Sequence, residues 1–295
     1  MQATAELKQW ALGLFFAVTV PIVATTLPGP IAPAEPHRLA QVSSRAKITK
    51  VIANNLGNPI DVAVANGGKN FLVTDGNRNR LLVLDARTGK TVKAYTGLTS
   101  PYGVAATDQY YYVSELINVS NVWYGQLKRI NPRTRAIKLL RTTGPGGRIF
   151  ANSANSLFVP FDYVSYFFVL RYSQSQPTFR TIHQSTFEIF PTDIQPSDGI
   201  YLVTSLSSNG CLVRVESGIK RRTIACHLGR PQSIVVLNGA YFVSDDNGRL
   251  LRISSSGQVS TLLNRGLGSP GGMVAYQGKL LLTDMAGGRL LEITL

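Results

Sequence analysis

Acidic residues recur at two places in a repeated pattern of this sequence, and they are its main candidates for chemistry. One set comes directly after short hydrophobic segments: Asp75, Glu115, Asp162, Asp245 and Asp284. The other set, Asp61 and Asp193, comes just before such segments. Carboxylate and carbonyl oxygens are the ligands that Ca²⁺ prefers in proteins. These acids therefore predict a possible site for Ca²⁺ or another divalent cation.

The acids divide into two groups according to the residues that follow them. In three copies of the repeat the acid is followed by arginine: Asp75 by Arg78 and Arg80, Asp245 by Arg249, and Asp284 by Arg289. A pair that recurs in this way is typical of a turn or an ion pair that holds the repeat together. We interpret Asp75, Asp245 and Asp284 as structural. Three acids without such a partner are the ligand-binding or metal-binding candidates: Asp61, Glu115 and Asp193.

Aromatic residues cluster where the repeat is interrupted. The segment from Glu115 to Gln126 is longer than its counterparts, and the aromatic residues in and after it are Trp123, Tyr124, Phe161, Tyr163 and Tyr166. Loops that depart from a repeat are where function concentrates, and aromatic-lined concavities suit sugars or flat organic ligands. The alternative is that these side chains fill space between repeat units. The pattern leaves both interpretations open.

The sequence offers no set of residues typical of a known catalytic mechanism. The histidines are isolated from one another, at positions 37, 183 and 227, and neither a Gly-x-Ser-x-Gly elbow nor a phosphate-binding loop is present. The catalytic residues, if there are any, are therefore unknown at this stage.

The elements that must position these residues are β-strands. Beyond residue 50 no segment keeps the apolar spacing of a helix, while short apolar runs alternate with Gly, Asn, Ser and Pro. Three segments align as strand, turn and strand: TDGNRNRLLVLD from Thr74, SDDNGRLLRIS from Ser244 and TDMAGGRLLEIT from Thr283. A second element begins at Pro59, Pro101, Pro191, Pro231 and Pro270, with a looser copy at Pro145–Ile149.

The repeat predicts an all-β, six-bladed β-propeller with four-stranded blades. Pro59 and Pro101 are 42 residues apart, and Pro231 and Pro270 are 39 apart; periods near 40 with four short strands are typical of propeller blades. The last blade has only three strands before Leu295. We expect Lys47–Leu56 to add the fourth strand and close the ring, since an open ring would leave unpaired strand edges.

The repeat resembles a known group of sequences. Pro-x-Gly/Asp-Val-Ala, then Leu-Val-Thr-Asp, then Asn-Arg-Leu-Leu-Val-Leu-Asp is similar to the NHL repeat and to the six-bladed superfamily of gluconolactonase-like lactonases and strictosidine-synthase-like proteins. The resemblance covers residues 47–295. For the lactonases it implies a calcium ion held by Glu, Asn and Asp at the channel mouth, with an acidic general base. The sequence departs from that pattern, since it lacks Pro-Asp-Gly at the starts of the first strands and a Glu near the first blade.

The first residues predict export. The apolar run WALGLFFAVTVPIVA (10–24) is followed by a Pro-rich stretch with small residues at Ala32 and Ala34. Fifteen residues are short for a span, since a bilayer needs about 20. We therefore predict a signal peptide at residues 1–34, with an uncleaved anchor as the alternative, a linker at 35–46 and a single propeller domain at 47–295. The mature protein is then secreted or periplasmic, without a membrane span, or else held outside by its anchor.

Cys211 and Cys226 fit an exported protein. They lie on either side of a turn at Ser217-Gly218, and an even number of cysteines in an exported chain favours a disulfide. Two buried thiols are the alternative.

The net charge of +14 favours anionic partners. An exported protein rarely meets nucleic acid, so an anionic cell-surface polymer is the more natural candidate.

Two functions follow. The first is a monomeric NHL-like propeller that binds a small ligand or a partner protein on its acidic face, which carries the connections between second and third strands and between blades. The alternative is a metal-dependent, gluconolactonase-like hydrolase that uses the same face. Whether the chain is an enzyme stays open between them.

Overall fold

Nearly all of the described chain is β-strand, as the repeat predicts. A computed structural model describes residues 46–143, 147–151, 156–163, 166–173, 178–186, 191–197, 200–205, 210–215 and 221–295. These residues form 24 strands in six antiparallel, four-stranded sheets, and a single 3-10 helix at Asn66–Gly68. The predicted signal peptide and the predicted linker, except Ala46, lie outside the described residues.

The first three sheets are each built from four consecutive strands that lie side by side in sequence order. The first contains β2 (Pro59–Ala65), β3 (Asn70–Asp75), β4 (Arg80–Asp85) and β5 (Thr91–Tyr95). The second contains β6 (Pro101–Ala106), β7 (Tyr111–Val119), β8 (Val122–Ile130) and β9 (Ile137–Thr143). The third contains β10 (Phe150–Ala151), β11 (Ser156–Tyr163), β12 (Tyr166–Ser173) and β13 (Phe179–Thr186).

The next two sheets follow the same rule, and the last combines strands from both ends of the described chain. The fourth contains β14 (Pro191–Ser197), β15 (Ile200–Ser205), β16 (Leu212–Val215) and β17 (Arg221–Ala225). The fifth contains β18 (Pro231–Leu237), β19 (Ala240–Asp245), β20 (Arg249–Ile253) and β21 (Val259–Leu263). The sixth contains β22 (Pro270–Tyr276), β23 (Lys279–Asp284), β24 (Arg289–Thr294) and β1 (Lys47–Ala53).

The sheets are the blades of a β-propeller. The first strands of neighbouring sheets contact one another in the order β2, β6, β10, β14, β18 and β22, and β22 contacts β2 again. These strands therefore surround a central channel, and we number the blades one to six in this order. The face at which the first strands begin and the second strands end is called the upper face below.

The hydrophobic core lies between the blades, because each sheet is covered on both sides. In β4 every residue from Leu81 to Leu84 is buried. Leu81 packs with Val104 and Val113 of blade two, whereas Leu82 packs with Leu281 and Leu290 of blade six. A strand buried on both faces needs an apolar run, which is why β4 reads Leu-Leu-Val-Leu and why its equivalents β20 and β24 keep the Leu-Leu pair.

Hydroxyl groups near the ends of second strands join neighbouring blades. Thr74 Oγ1 in blade one donates to the carbonyl oxygen of Tyr102 in blade two, at 2.9 Å. The same hydrogen bond recurs from Ser114 to Gly147, from Ser244 to Gly271 and from Thr283 to Ile60, at 3.1–3.4 Å. The Ser/Thr that precedes the repeat acid is therefore an inter-blade contact.

Strand β1 lies along β24 as the outermost strand of blade six. Lys47 pairs with Thr294 and Val51 with Leu291. Thr49 Oγ1 donates to Glu292 Oε1 at 3.1 Å. The first described strand therefore covers the edge that β24 would otherwise expose.

The predicted disulfide is confirmed in blade four. Cys211 and Cys226 are bonded, with their Cα atoms 4.1 Å apart. Cys211 precedes β16 and Cys226 follows β17, next to the pair Leu212 and Ala225. The bond therefore fastens the outermost strand of this blade, and it fits an oxidising compartment. In the part of the chain described here, no helix is long and apolar enough to cross a membrane.

Candidate functional site

Equivalent residues near the starts of the six first strands form a layer at the upper end of the channel. They are Asp61, Gly103, Arg148, Asp193, Ser233 and Gly272. The inter-blade hydrogen bond assigns Arg148 to this layer. Gly147 accepts a hydrogen bond from Ser114 just as Tyr102 accepts one from Thr74, so the next residue, Arg148, is equivalent to Gly103. The layer places Asp61 and Asp193, two of the predicted candidates, with Arg148, and all three are buried.

The side chains of this layer bind the backbone of the next blade. Asp61 Oδ2 accepts a hydrogen bond from the Val104 N–H at 2.9 Å, and Asp193 Oδ2 accepts from the Ile234 N–H at 3.0 Å. Ser233 Oγ accepts in the same way from the Met273 N–H, at 3.0 Å. A neutral serine therefore makes the same inter-blade bond as the two aspartates.

Arg148 reaches across the layer from blade three. Its Nε lies 3.5 Å from Asp61 Oδ1. Its Nη2 donates to the Ile60 carbonyl at 3.4 Å, its Nη1 donates to the Gln232 carbonyl, and its guanidinium carbon lies 5.5 Å from the centre of the Tyr102 ring. Arg148 Nε is buried and has no hydrogen-bond partner, so one donor of this guanidinium is left over.

Asp193 is held by three donors. Its Oδ1 accepts from the Ile194 N–H at 2.8 Å, and its Oδ2 accepts from Ser233 Oγ at 2.7 Å as well as from Ile234. Ser233 thus links the aspartate of blade four to the backbone of blade six. The carboxylate is fixed in place by blades four and five together.

Burial shifts the pKa values of both aspartates upwards. Burial raises the pKa of Asp61 to about 7, with Arg148 opposing the shift and Asp193 adding to it. Burial also raises the pKa of Asp193, opposed by Arg148 and by the hydrogen bonds from Ser233 and Ile234. For Arg148, burial alone lowers the pKa, but Tyr102, Asp61 and Asp193 outweigh it and raise the pKa. Asp61 can therefore gain or lose a proton near neutral pH.

A cavity of about 370 Å³ lies along the channel, with the three charged residues among those that line it. Its other walls are mainly aliphatic residues of the first strands, such as Val62, Ala105 and Val235. Its lining residues extend from the layer along the first strands, away from the upper face. The channel thus combines one charged end with apolar walls.

Glu115 lies away from this layer and shares the surroundings of the structural repeat acids. Its Oε1 accepts from the Thr99 N–H at 2.7 Å, and Lys128 Nζ lies 2.9 Å from Oε1 and 2.8 Å from Oε2. The repeat acids likewise bind a basic residue of the third strand: Asp75 binds Arg80, Asp245 binds Arg249 and Asp284 binds Arg289, with Nε–Oδ2 distances of 2.7–2.9 Å.

These carboxylates leave little acidic surface on the upper face. At the ends of second strands, the acids whose side chains are described are buried, as are Asp61 and Asp193, and the side chain of Asp162 is outside those described. Arginines at this face, such as Arg78 and Arg265, are exposed. The described acids that predict an acidic face therefore act inside the protein: five of them contact a basic residue, and Asp193 accepts hydrogen bonds from Ser233 and the backbone.

The aromatic candidates fall into two groups. Trp123 and Tyr124 are exposed on the β7–β8 hairpin. The side chains of Phe161, Tyr163 and Tyr166 are outside those that the structure describes.

The layer does not have the donor set of a divalent-cation site. Among the described residues no group of three or more His, Cys, Asp or Glu side chains converges. Six to eight oxygen ligands surround Ca²⁺, whereas Asp61 faces the guanidinium of Arg148 and Asp193 already accepts three hydrogen bonds. A buried positive charge beside Asp61 opposes the binding of a second one.

Sequence reasoning missed Arg148 because it lies in the most degenerate copy of the repeat. Only the spacing marks it: Arg148 precedes Ile149 as Asp61 precedes Val62 and Asp193 precedes Ile194. Aligning the residues that directly precede Val62, Val104, Ile149, Ile194, Ile234 and Met273 would have found the whole layer.

Comparison with known proteins finds similarity of structure without similarity of sequence. No protein-family model matches the chain, and no curated protein matches it. An aldose sugar dehydrogenase from Streptomyces coelicolor, solved with bound PQQ, has 14% identity and a TM-score of 0.64 over 84% of this chain and 97% of that one.

Two further solved structures are similar to a comparable degree. An auxiliary nutrient binding protein from Bacteroides thetaiotaomicron has 12% identity and a TM-score of 0.62, over 80% of this chain and 69% of that one. Virginiamycin B lyase from Staphylococcus aureus has 14% identity and a TM-score of 0.60, over 85% and 99%. Identities this low show the β-propeller fold alone.

Proposed function

We propose that this β-propeller is an exported binding protein whose channel takes a small hydroxylated organic ligand at the layer of Asp61, Arg148 and Asp193. One observation carries the proposal. Ser233 makes the inter-blade hydrogen bond of this layer without a charge, and Gly103 and Gly272 occupy equivalent positions without a side chain. The fold therefore does not require the buried charges of the other three positions.

Buried charges are expensive unless they are paired and hydrogen-bonded. The pairing of Arg148 with Asp61 is long, at 3.5 Å, and Arg148 Nε keeps an unused donor. A ligand hydroxyl could accept from Nε and donate to Asp61 or Asp193. We infer that the layer supplies the polar contacts and that the aliphatic walls accommodate the carbon skeleton, a combination typical of small-molecule sites.

The size of the cavity and the structural neighbours of the protein agree with this class of ligand. A cavity of about 370 Å³ is within the range of small-molecule pockets. The structural neighbours include a nutrient binding protein and a sugar dehydrogenase, so the fold serves small polar ligands elsewhere. Export is supported by the disulfide and by the predicted signal peptide.

The alternative drawn from the resemblance, a metal-dependent lactonase, finds no support in this layer. Its reaction needs a cation coordinated by several carboxylate or amide oxygens. The two aspartates here are neighbours of a guanidinium instead. We therefore propose binding without turnover.

The proposal is tested by titration calorimetry of the full chain with D-glucose, D-galactose, D-mannose and myo-inositol. Asp61→Ser and Asp193→Ser remove a charge but retain the hydroxyl that Ser233 uses, so they should fold and lose binding at least tenfold. Asp246→Ser is the control for loss of an acidic charge outside the layer, because Asp246 is partly exposed, forms an ion pair with the exposed Arg230 and acts on Arg148 more weakly than Asp61 and Asp193 do.

Equal affinity in the control and in both layer variants would refute this site. No heat with any of the four compounds would refute the ligand class. Binding that disappears on addition of EDTA would instead favour the metal-dependent alternative.

A further inference from the structure

Blade two carries a two-stranded ribbon that extends beyond its sheet. Strands β7 and β8 have nine residues each and pair from Tyr111 and Ile130 to Val119 and Val122. The neighbouring strands do not follow the ribbon to its tip. β6 pairs with β7 only as far as Glu115, and β9 pairs with β8 only as far as Gly125. Leu116 still donates a hydrogen bond to Ser100 beside β6, and among the described residues no strand pairs with residues 117–124 other than the two strands of the ribbon itself.

The end of this ribbon is apolar and exposed. Val119 is 49% exposed, Val122 50%, Trp123 48% and Tyr124 39%. A turn with positive φ at Ser120 and Asn121 closes the ribbon, and the Asn121 N–H donates to Asn118 Oδ1 at 3.1 Å. Apolar side chains on an ordered, projecting tip are typical of a surface that contacts another apolar phase.

Two exposed arginines lie near the base of the ribbon, and residues 116–143 contain no acid. The other basic residues of this segment lie farther from the tip: Lys128 is paired with Glu115, and Arg129, Arg133, Arg135 and Lys138 lie towards the opposite end of the blade. Arg141 is exposed and lies opposite Leu127 at the base of the ribbon. Arg78 is exposed in a neighbouring loop, which is tied to the base through Asn79 and Ser100.

We propose that the ribbon tip inserts into the interface of an anionic lipid bilayer. Trp and Tyr favour the headgroup level, and basic residues beside them attract anionic lipids. A charged polymer would engage the arginines but would leave Val119 and Val122 exposed to water. Insertion should be shallow, because the outward backbone groups of a two-stranded ribbon need water or headgroups as partners.

The test uses the full chain with Trp10→Phe, which leaves Trp123 as the only tryptophan. Vesicles of phosphatidylcholine are compared with vesicles of equal parts phosphatidylcholine and phosphatidylglycerol. We expect the Trp123 emission to shift to the blue and to be quenched by brominated lipids in the anionic vesicles only. Because Trp123 lies on the ribbon and is the only tryptophan left, its quenching reports on the ribbon itself, and every variant keeps the same apolar N-terminal segment.

A double variant and a matched control define the outcome. Val119→Ser with Val122→Ser should lower the partition coefficient at least tenfold, without a change in melting temperature. Val92→Ser, at a 58% exposed valine of β5 away from the ribbon, should leave it unchanged. Unquenched Trp123, or equal partitioning of the double variant and wild type, would overturn the proposal. Retention on a sulfated polymer with no lipid quenching would instead show electrostatic attachment and would also overturn it.

Discussion

Arg148 Nε lies 3.5 Å from Asp61 Oδ1, and the two side chains reach this contact from blades three and one. The contact offsets part of the cost of burying Asp61, yet burial still raises the pKa of this carboxyl to about 7. A layer with two aspartates and one arginine therefore changes its charge near neutral pH. This change in charge should alter both the unfolding free energy and the binding of a ligand.

The raised pKa of Asp61 predicts how stability depends on pH. In the unfolded chain the carboxyl ionises near its usual pKa of 3.8, whereas in the folded protein it keeps its proton up to about pH 7. Between these values the folded state binds more protons, so Asp61 contributes stability at low pH that is lost as the pH rises to 7. Each pKa unit is worth about 1.4 kcal/mol, so the change should amount to a few kcal/mol.

Urea unfolding of wild type and Asp61→Ser from about pH 4 to pH 8 checks this sign. The unfolding free energy of wild type should fall relative to that of the variant up to about pH 7 and then stay parallel to it. A difference that grows in favour of wild type with rising pH would mean that ionised Asp61 stabilises the fold.

Removing Arg148 should destabilise the protein strongly. Arg148→Met leaves Asp61 and Asp193 buried without their cation, and breaking a buried pair costs about 3–5 kcal/mol. Adding Asp61→Ser should recover part of that loss, because one of the two uncompensated charges is gone. A double-mutant cycle by urea unfolding at pH 8 measures the coupling; strictly additive losses would show that the two side chains do not interact.

The repeat acids should matter for stability far more than neighbouring acids. Asp245 is buried and accepts hydrogen bonds from the backbone N–H groups of Asn247 and Arg249 and from Arg249 Nε, at 2.7–3.1 Å. Asp245→Ala should therefore cost about 2–4 kcal/mol. Asp246→Ala, one residue later and paired with an exposed arginine, should cost under about 1 kcal/mol. Equal losses in thermal unfolding would contradict the structural role of the repeat acid.

Loss of the disulfide should lower stability through the unfolded state. Cys211 and Cys226 are 15 residues apart, and closing a loop of this length is worth about 3 kcal/mol. Cys211→Ser with Cys226→Ser should lower the unfolding free energy by about that amount, and reducing agent should destabilise wild type but not the double variant. If reduction left wild type unchanged, the bond would contribute nothing to stability.

The blade pattern could be predicted from the sequence because each blade makes the same contacts with itself and with the next blade. Thr74 joins two blades while Asp75 binds Arg80 across the turn that follows it, so both residue types recur wherever this geometry does. Pro59, Pro101 and their equivalents recur because each is the first residue of a first strand. The disulfide was also predictable, since Cys211 and Cys226 lie on either side of a turn.

The candidate site was only half predictable. Asp61 and Asp193 stand out as acids among apolar residues. Arg148 lies in a copy of the repeat that lacks the other characteristic residues. Glu115 looked unpaired because the ribbon moves its partner, Lys128, thirteen residues away, whereas Asp75 finds Arg80 five residues away. Interactions across the channel and along a lengthened hairpin depend on the third dimension, which local sequence patterns do not encode.

The pairing of β1 with β24 sets the order of events in folding. Thr49 and Glu292 hydrogen-bond although 243 residues separate them. Because β24 is made long after β1, β1 stays without its partner strand until the whole chain is present, and contacts this distant in sequence are slow to make. Until they meet, β1 and β24 present bare edges to other chains. The yield of folded protein should therefore depend on how fast these two strands pair as well as on the stability of the finished fold.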